Sequence, residues 1–212
     1  MYSGITAGLF QVVFLEKKPG LITYTVRLNA QLSLSLALGA SVAIDGVCQT
    51  VVALNGEDVT FHAIQATLDC TTLDTLSIGR WVSVERSLRY GDEVGGHELA
   101  GHVIGTAKII AKELVGDSLT LTLQCPSTWM KFILPKGFVA VDGSSLTVGE
   151  VDSQGTFKLH LIPETLRLTN FSNKKVGDRV NIELDHRTQA IVMTVERVLQ
   201  QQHGYILSNP SK

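Results

Sequence analysis

The chain has 212 residues, 44% of them hydrophobic and 18% charged, with a formal net charge of -2. That is enough apolar surface for two cores of about 90 residues each, and it leaves no basic footprint for nucleic acid or acidic membranes. No run approaches the roughly 18 apolar residues of a membrane span, the start is not a basic-then-apolar signal peptide, and three cysteines are too few for a disulfide framework, so the expectation is a reduced, cytoplasmic protein.

In chain order the signals are those of short strands. Residues 9–15 are rich in Val and Phe and end at the turn Lys17-Lys18-Pro19-Gly20. Residues 21–28 alternate around Ile22, Tyr24, Val26 and Leu28, a strand period. Residues 41–54 read as two strands around Asp45-Gly46, a dipeptide that favours hairpin turns with positive φ. Asn55-Gly56 opens the next hairpin into residues 58–64, and residues 71–76 predict one brief helix before a strand over 81–88. About six short strands per half indicate a small closed barrel, which also removes exposed strand edges. From Thr188 to Gln201 there is no Gly or Pro, and Ile191, Val195, Val198 and Leu199 follow helical spacing, an amphipathic helix with one apolar stripe.

The second half restates the first. Gly4-Ile5-Thr6-Ala7-Gly8 aligns with Gly101-His102-Val103-Ile104-Gly105 at an offset of 97, and Val42-Ala43-Ile44-Asp45-Gly46 with Val139-Ala140-Val141-Asp142-Gly143 at the same offset. Thr67-Leu68 and Thr165-Leu166 match at 98, as do Val82 and Val180. A repeat this long makes each copy a small domain with its own core. The expected division is 1–97, 98–187 and a helical tail over 188–212.

Residues 95–105 hold two of the six histidines and four glycines between the copies. His97 and His102 are five apart with Gly101 breaking any helix, so they are not the zinc-protease pattern of two histidines four apart. Gly143-Ser144-Ser145 lacks the second Gly of a nucleophile elbow. No metal ligand set and no cofactor motif is expected. Cys48 and Thr50 occupy the positions in the first copy that Ser145 and Thr147 occupy in the second, and Ile5 answers to His102. The one titratable group of that pair therefore belongs to the second copy. An asymmetric reaction between two like molecules would need such a difference.

Five motifs in order carry a resemblance: Tyr2-Ser3-Gly4-Ile5, the stretch 39–51 with Cys48 and Thr50, the stretch 95–103 with both histidines, the stretch 136–148 with Asp142 and Ser145, and Ile162-Pro163-Glu164-Thr165-Leu166. Together they resemble the riboflavin synthase α-chain family. The resemblance implies an all-β fold of tandem six-stranded barrels with a C-terminal helix, and a homotrimer joined by those helices. It implies dismutation of two 6,7-dimethyl-8-ribityllumazine molecules to riboflavin and a ribitylaminouracil, without metal or redox cofactor, between the N-terminal barrel of one subunit and the C-terminal barrel of the next. Lumazine synthase is the protein partner it suggests. The catalytic residues implied are Cys48, His102, Ser145, Thr147, Asp142 and Asp185. The substrate positions implied are Gly4, Ile5, Thr6, Ser41, Cys48, Gln49, Thr50, Ile64, Ala66 and Thr67, with Gly101, His102, Val103, Lys136, Ser145, Leu146, Thr147, Ile162, Pro163, Glu164 and Thr165.

The chain departs from the family's pattern at Ala66, where glutamate is common and where its own second copy has Glu164, at Gln49, where leucine is usual, and at Tyr2, where phenylalanine is usual. The rival reading is a non-catalytic relative that holds a lumazine or flavin as an optical antenna or carrier. The retention of Cys48, Thr50, His102, Ser145 and Thr147 favours the enzyme.

Overall fold

The computed structural model describes residues 1–208, with side chains described through Gln201; residues 209–212 of the expected tail lie outside the described residues. The first copy contains β1 (Gly8–Lys18), β2 (Leu21–Arg27), a one-turn helix α1 (Ala30–Ser33), β3 (Ser41–Ile44), β4 (Val47–Asn55), β5 (Asp58–Ile64), α2 (Gln65–Cys70) and β6 (Trp81–Arg86). The second contains β7 (Gly105–Val115), β8 (Ser118–Gln124), β9 (Phe138–Val141), β10 (Ser144–Val151), β11 (Thr156–Leu161), α3 (Pro163–Leu168) and β12 (Arg179–Leu184), and α4 (His186–Ser208) follows. Each copy closes an antiparallel six-stranded barrel, in the order β1-β2-β5-β4-β3-β6 and again in the equivalent order for β7 to β12.

The hairpin signals acted as expected. Asp45 and Gly46 hold φ of 45° and 79°, and Asp142 and Gly143 hold 44° and 83°, the pair of positive values that a two-residue turn needs to match strand twist. The helix expected over 71–76 divides: α2 occupies 65–70 and a 3-10 turn occupies Thr72–Thr75. No side chain caps α2 at Ile64, so the usual starting signal is absent from the sequence. Its counterpart α3 opens on Pro163 at the first helical position, where a missing N–H costs nothing.

Alternation along β4 and β10 decides which side chains can meet a ligand. Val47, Gln49 and Val51 are buried while Cys48 and Thr50 are half-buried and exposed, and the same holds for Leu146 and Val148 against Ser145 and Thr147. Gln49 and Leu146 were expected to line substrate, but their side chains enter the barrel cores. Gln49 is 4% exposed and accepts a hydrogen bond from the Tyr24 hydroxyl at 3.2 Å. The matching pair in the second barrel is Leu121 and Leu146, both buried. Gln49→Leu alone should therefore destabilise by about 1–3 kcal/mol, because it leaves a buried hydroxyl without an acceptor. Adding Tyr24→Phe should recover most of that loss, and a urea-unfolding double-mutant cycle measures the coupling.

The barrels meet at their two Asp-Gly turns. A side chain on Gly46 would collide with the Gly143 backbone, so only glycine allows the approach. Asp45 and Asp142, each fully buried, accept the Ser83 and Asn181 amides at 2.8 and 2.7 Å. Arg80 and Lys174 supply their counter-charges at 2.7 and 2.8 Å. Asn181 bridges the seam, donating to the Asp45 carbonyl and accepting the Thr72 amide.

Ahead of each barrel runs a short segment that does not stay with its own copy. Tyr2 and Leu99, equivalent by the repeat, pair with each other in an antiparallel bridge. Beyond this point the segments exchange. Gly4 accepts the Ser145 amide at 2.8 Å, on the second barrel, and Gly101 accepts the Cys48 amide at 2.9 Å, on the first. Thr6 hydrogen-bonds Ser144 at 3.1 Å, and Val103 packs on the first barrel's core. Both segments then return to their own barrels, where Ala7 donates to Val84 and Ile104 to Ile182.

Helix α4 seats on the second barrel through Val192 and the Lys131–Glu196 ion pair at 2.6 Å. Ile191, Met193, Val195, Val198 and Leu199 stay exposed. No helix among the described residues is long and apolar enough to cross a membrane.

Candidate functional site

Two half-sites follow from the exchange. Around β4, Ser41 lies directly opposite Thr50 and Ala43 opposite Cys48, which puts Ser41, Cys48 and Thr50 on one face. Gly101, His102 and Val103 cross onto that face; a Cβ on Gly101 would come within 2.7 Å of the Cys48 Cβ. His102, read from the repeat as a second-copy group, thus stands at the first barrel. Its ring meets His186 edge-on at 6.5 Å between centroids. Tyr2 donates to Cys48 Sγ at 3.2 Å, and burial raises the phenol's pKa, so it stays a donor. Ile64, Ala66 and Thr67 sit one strand over, at the end of β5 and on α2.

The second half-site is built on β9 and β10. Phe138 faces Thr147 and Ala140 faces Ser145, so Phe138, Ser145 and Thr147 share a face. Gly4, Ile5 and Thr6 cross onto it. Lys136 precedes β9, with its amide bonded to the Val148 carbonyl at 2.8 Å. Its φ is 63°, in the left-handed region that its first-copy equivalent, Gly39 at 81°, occupies without strain. Keeping a lysine there costs about 1 kcal/mol or more. Ile162, Pro163 and Thr165 sit at the end of β11 and on α3, and the exposed Glu164 carboxylate pairs with Arg167 at 2.6 Å.

His97, which the sequence left uncommitted, joins the second half-site as a candidate. Its Nδ1 lies 2.6 Å from Ser145 Oγ, its ring stacks on Phe138 at 5.0 Å, and its Nε2 is buried without a partner. Burial holds its pKa below the ordinary histidine value; Asp185 pulls it up and His186 pushes it down. A neutral imidazole can accept the Ser145 proton, with the Asp185 charge favouring the imidazolium that forms. Asp185 itself caps α4 through Thr188 at 2.6 and 3.0 Å. Burial works against its charged form, but these hydrogen bonds hold its pKa below the usual value. His97, Phe138 and Asp185 line an open cleft of about 620 Å³ with Met1, Val94 and Arg187, within the size range of small-molecule sites.

Asp142 does not join this constellation. It is fully buried at the seam, committed to Asn181 and Lys174, so its carboxylate anchors a turn and is removed from the candidate catalytic set. A larger cleft of about 690 Å³ follows the seam past Arg80, Lys174 and Arg179, yet these cations already pair with Asp45, Asp142 and Asp74. Among the described residues, no group of three or more His, Cys, Asp or Glu side chains converges in a geometry that could hold a metal ion.

Two carboxylates fix the crossing segments. Glu85 on β6 accepts the Ser3 amide and hydroxyl at 2.7 and 2.8 Å and the Gly4 amide at 3.1 Å. Glu183 on β12 accepts the Ala100 and Gly101 amides at 2.7 and 3.0 Å. Burial raises the Glu85 pKa, opposed by the amides that bond it.

Comparison with known proteins gives the family and the fold. The family model described as "Lumazine binding domain" matches residues 3–87 and again 100–185. The riboflavin synthase of Escherichia coli (strain K12) is 46% identical over 94% of this chain and 93% of its own length. Those of Buchnera aphidicola subsp. Schizaphis graminum and Chlamydia pneumoniae are each 40% identical over 94% of this chain, covering 96% and 97% of their own. The fold matches LumP complexed with riboflavin at TM-score 0.81 and 22% identity, over 88% of this chain and 100% of that one. LumP complexed with 6,7-dimethyl-8-(1'-D-ribityl) lumazine matches at TM-score 0.79. With its repeated lumazine-binding domain and this identity over nearly its whole length, the chain belongs to the riboflavin synthase family.

Proposed function

We propose that the chain converts two molecules of 6,7-dimethyl-8-ribityllumazine into riboflavin and 5-amino-6-ribitylaminouracil, one bound at each half-site. The observation that carries this reading is the 2.6 Å contact between Ser145 Oγ and Nδ1 of His97, a residue that lines a ligand-sized cleft. A holder of one ligand needs no such pair. A four-carbon transfer needs a proton taken from an activated methyl group and an oxygen or sulfur near an electrophilic ring carbon. Ser145 with His97 supplies a base and an oxygen at the second barrel, and Cys48 supplies sulfur at the first. Thr50, Thr147 and the peptide groups of the crossing segments offer donors and acceptors for the pyrimidinedione edge, and Lys136 a charge for its carbonyls. Positioning two reactants in register contributes as much as either group.

The half-sites of one chain are completed, in this reading, by those of a neighbour, with α4 as the trimer contact. Truncation after His186 is expected to give monomers with folded barrels and little turnover, read by light scattering and far-UV circular dichroism. A truncated protein that stays trimeric would place association in the barrels. We assign the protein to the cytoplasm, in keeping with its three free cysteines, and leave lumazine synthase as a partner suggested by family resemblance only. The direct test is incubation with the lumazine alone, following riboflavin fluorescence. Binding without turnover would favour the carrier reading.

A further inference from the structure

We propose that Glu85 and Glu183 are positioning residues wired across the molecule: each sits on one barrel and sets the geometry of the half-site on the other. The inference rests on the two-half-site reading above and adds residues outside the pocket faces.

Glu183 belongs to β12 of the second barrel and is 3% exposed. Its two oxygens take consecutive amides, Ala100 and Gly101. The carbonyl of Gly101 then takes the Cys48 amide of the first barrel. Glu85 belongs to β6 of the first barrel and is 8% exposed. It takes the Ser3 and Gly4 amides, and the Gly4 carbonyl takes the Ser145 amide of the second barrel. Gly4 and Gly101 share a φ of 75°, the left-handed turn that aims successive amides at one anion. A carboxylate is the side chain that suits this arrangement. Glutamine offers one oxygen and one NH₂, and the NH₂ would oppose the second amide.

Each carboxylate acts beside the Tyr2–Leu99 bridge and the Gly4–Ser145 and Gly101–Cys48 backbone bonds, and it alone joins two consecutive amides of the segment to the barrel that the segment leaves. Glycine is required at both contact points, since a Cβ on Gly4 would lie 2.6 Å from the Ser145 Cβ. A shift of either segment moves Ile5 and Thr6 relative to Ser145, or His102 and Val103 relative to Cys48. The two carboxylates also differ. Glu183 accepts a third contact, from His186 Nε2 at 3.2 Å, where the equivalent neighbour of Glu85 is Leu88. The His102 segment is thus held by a carboxylate that also meets the first residue of α4.

The test uses full-length Glu183→Gln, Glu85→Gln and the milder Ser3→Ala, which deletes one donor to Glu85 and leaves the backbone alone. Amide hydrogen exchange by mass spectrometry needs no ligand. Glu183→Gln should accelerate exchange at Cys48 and residues 99–103 by about tenfold, the factor lost with one charge-assisted hydrogen bond, and leave Ser145 protected. Glu85→Gln, and Ser3→Ala to a smaller degree, should do the reverse. Crystals soaked in riboflavin should then lose occupancy beside Cys48 in the first variant and beside Ser145 in the other two. Deprotection on the substituted residue's own barrel, equal loss at both half-sites, or no change would each overturn the proposal. Should Glu183→Gln or Glu85→Gln fail to fold, Ser3→Ala decides by the same criteria. If the wild type binds no flavin or lumazine, the functional reading falls while the exchange data still decide the positioning.

Discussion

His97→Ala is expected to lower kcat by about 10²–10⁴-fold, the usual contribution of a positioned acid–base group, with a smaller change in KM. The imidazole bonds the Ser145 hydroxyl, and its removal leaves an ordinary alcohol beside the substrate. Ser145→Ala should cost about as much, and the double variant little more, because groups that act as a unit are strongly non-additive. The acid limb of the wild-type pH profile carries the same signature. Burial and the nearby His186 hold His97 below the ordinary histidine pKa of about 6.5. Protonation blocks its acceptor role, so activity should fall with decreasing pH at a midpoint below that value. His97→Ala should remove this limb from its residual activity. The pH dependence of kcat/KM between pH 5 and 8 reads the free-enzyme limb, kcat at saturating lumazine reads the loss in His97→Ala, and a full-rate alanine variant would sink the assignment.

Lys174→Met should destabilise the chain by about 3–5 kcal/mol, the range for removing one partner of a buried ion pair. Lys174 is 10% exposed at its side chain and Asp142 is not exposed at all. With the ammonium gone, Asp142 remains buried close to a second carboxylate, Asp45, whose pKa burial and Asp142 already raise. Asp142→Asn added to Lys174→Met should recover much of the loss by removing the stranded charge. Urea midpoints for the single and double variants measure this. A neutral Lys174→Met would mean that the seam admits water and that the pair adds nothing.

The duplication, the barrels and the two Asp-Gly hairpin turns were legible in the sequence, because each is carried by sequence pattern; that the two turns meet was not. Strand alternation could also have told Gln49 and Leu146 from Cys48 and Ser145, since Val47 and Val51 bracket Gln49 as core residues. The exchange of the leading segments was not legible. An offset of 97 pairs Ile5 with His102 but is silent on which barrel each one touches. His97 escaped for a related reason: it precedes the second copy and has no counterpart in the first. The helix Gln65–Cys70 was hidden by its length and its missing cap.

The exchanged segments bind the order of synthesis to the order of folding. Residues 3–6 emerge first, but their seat on Ser144 and Ser145 is made only when most of the chain has been translated. The first barrel cannot finish the Cys48 face until Gly101 arrives, and the second cannot finish the Ser145 face without Gly4. Each barrel is thus the other's last folding step, and the pair should melt as one cooperative unit. The chain carries its own probes, one tryptophan on each barrel at Trp81 and Trp129. Trp81→Phe and Trp129→Phe should give superimposable fluorescence melts, where barrels on separate strings would come apart in turn.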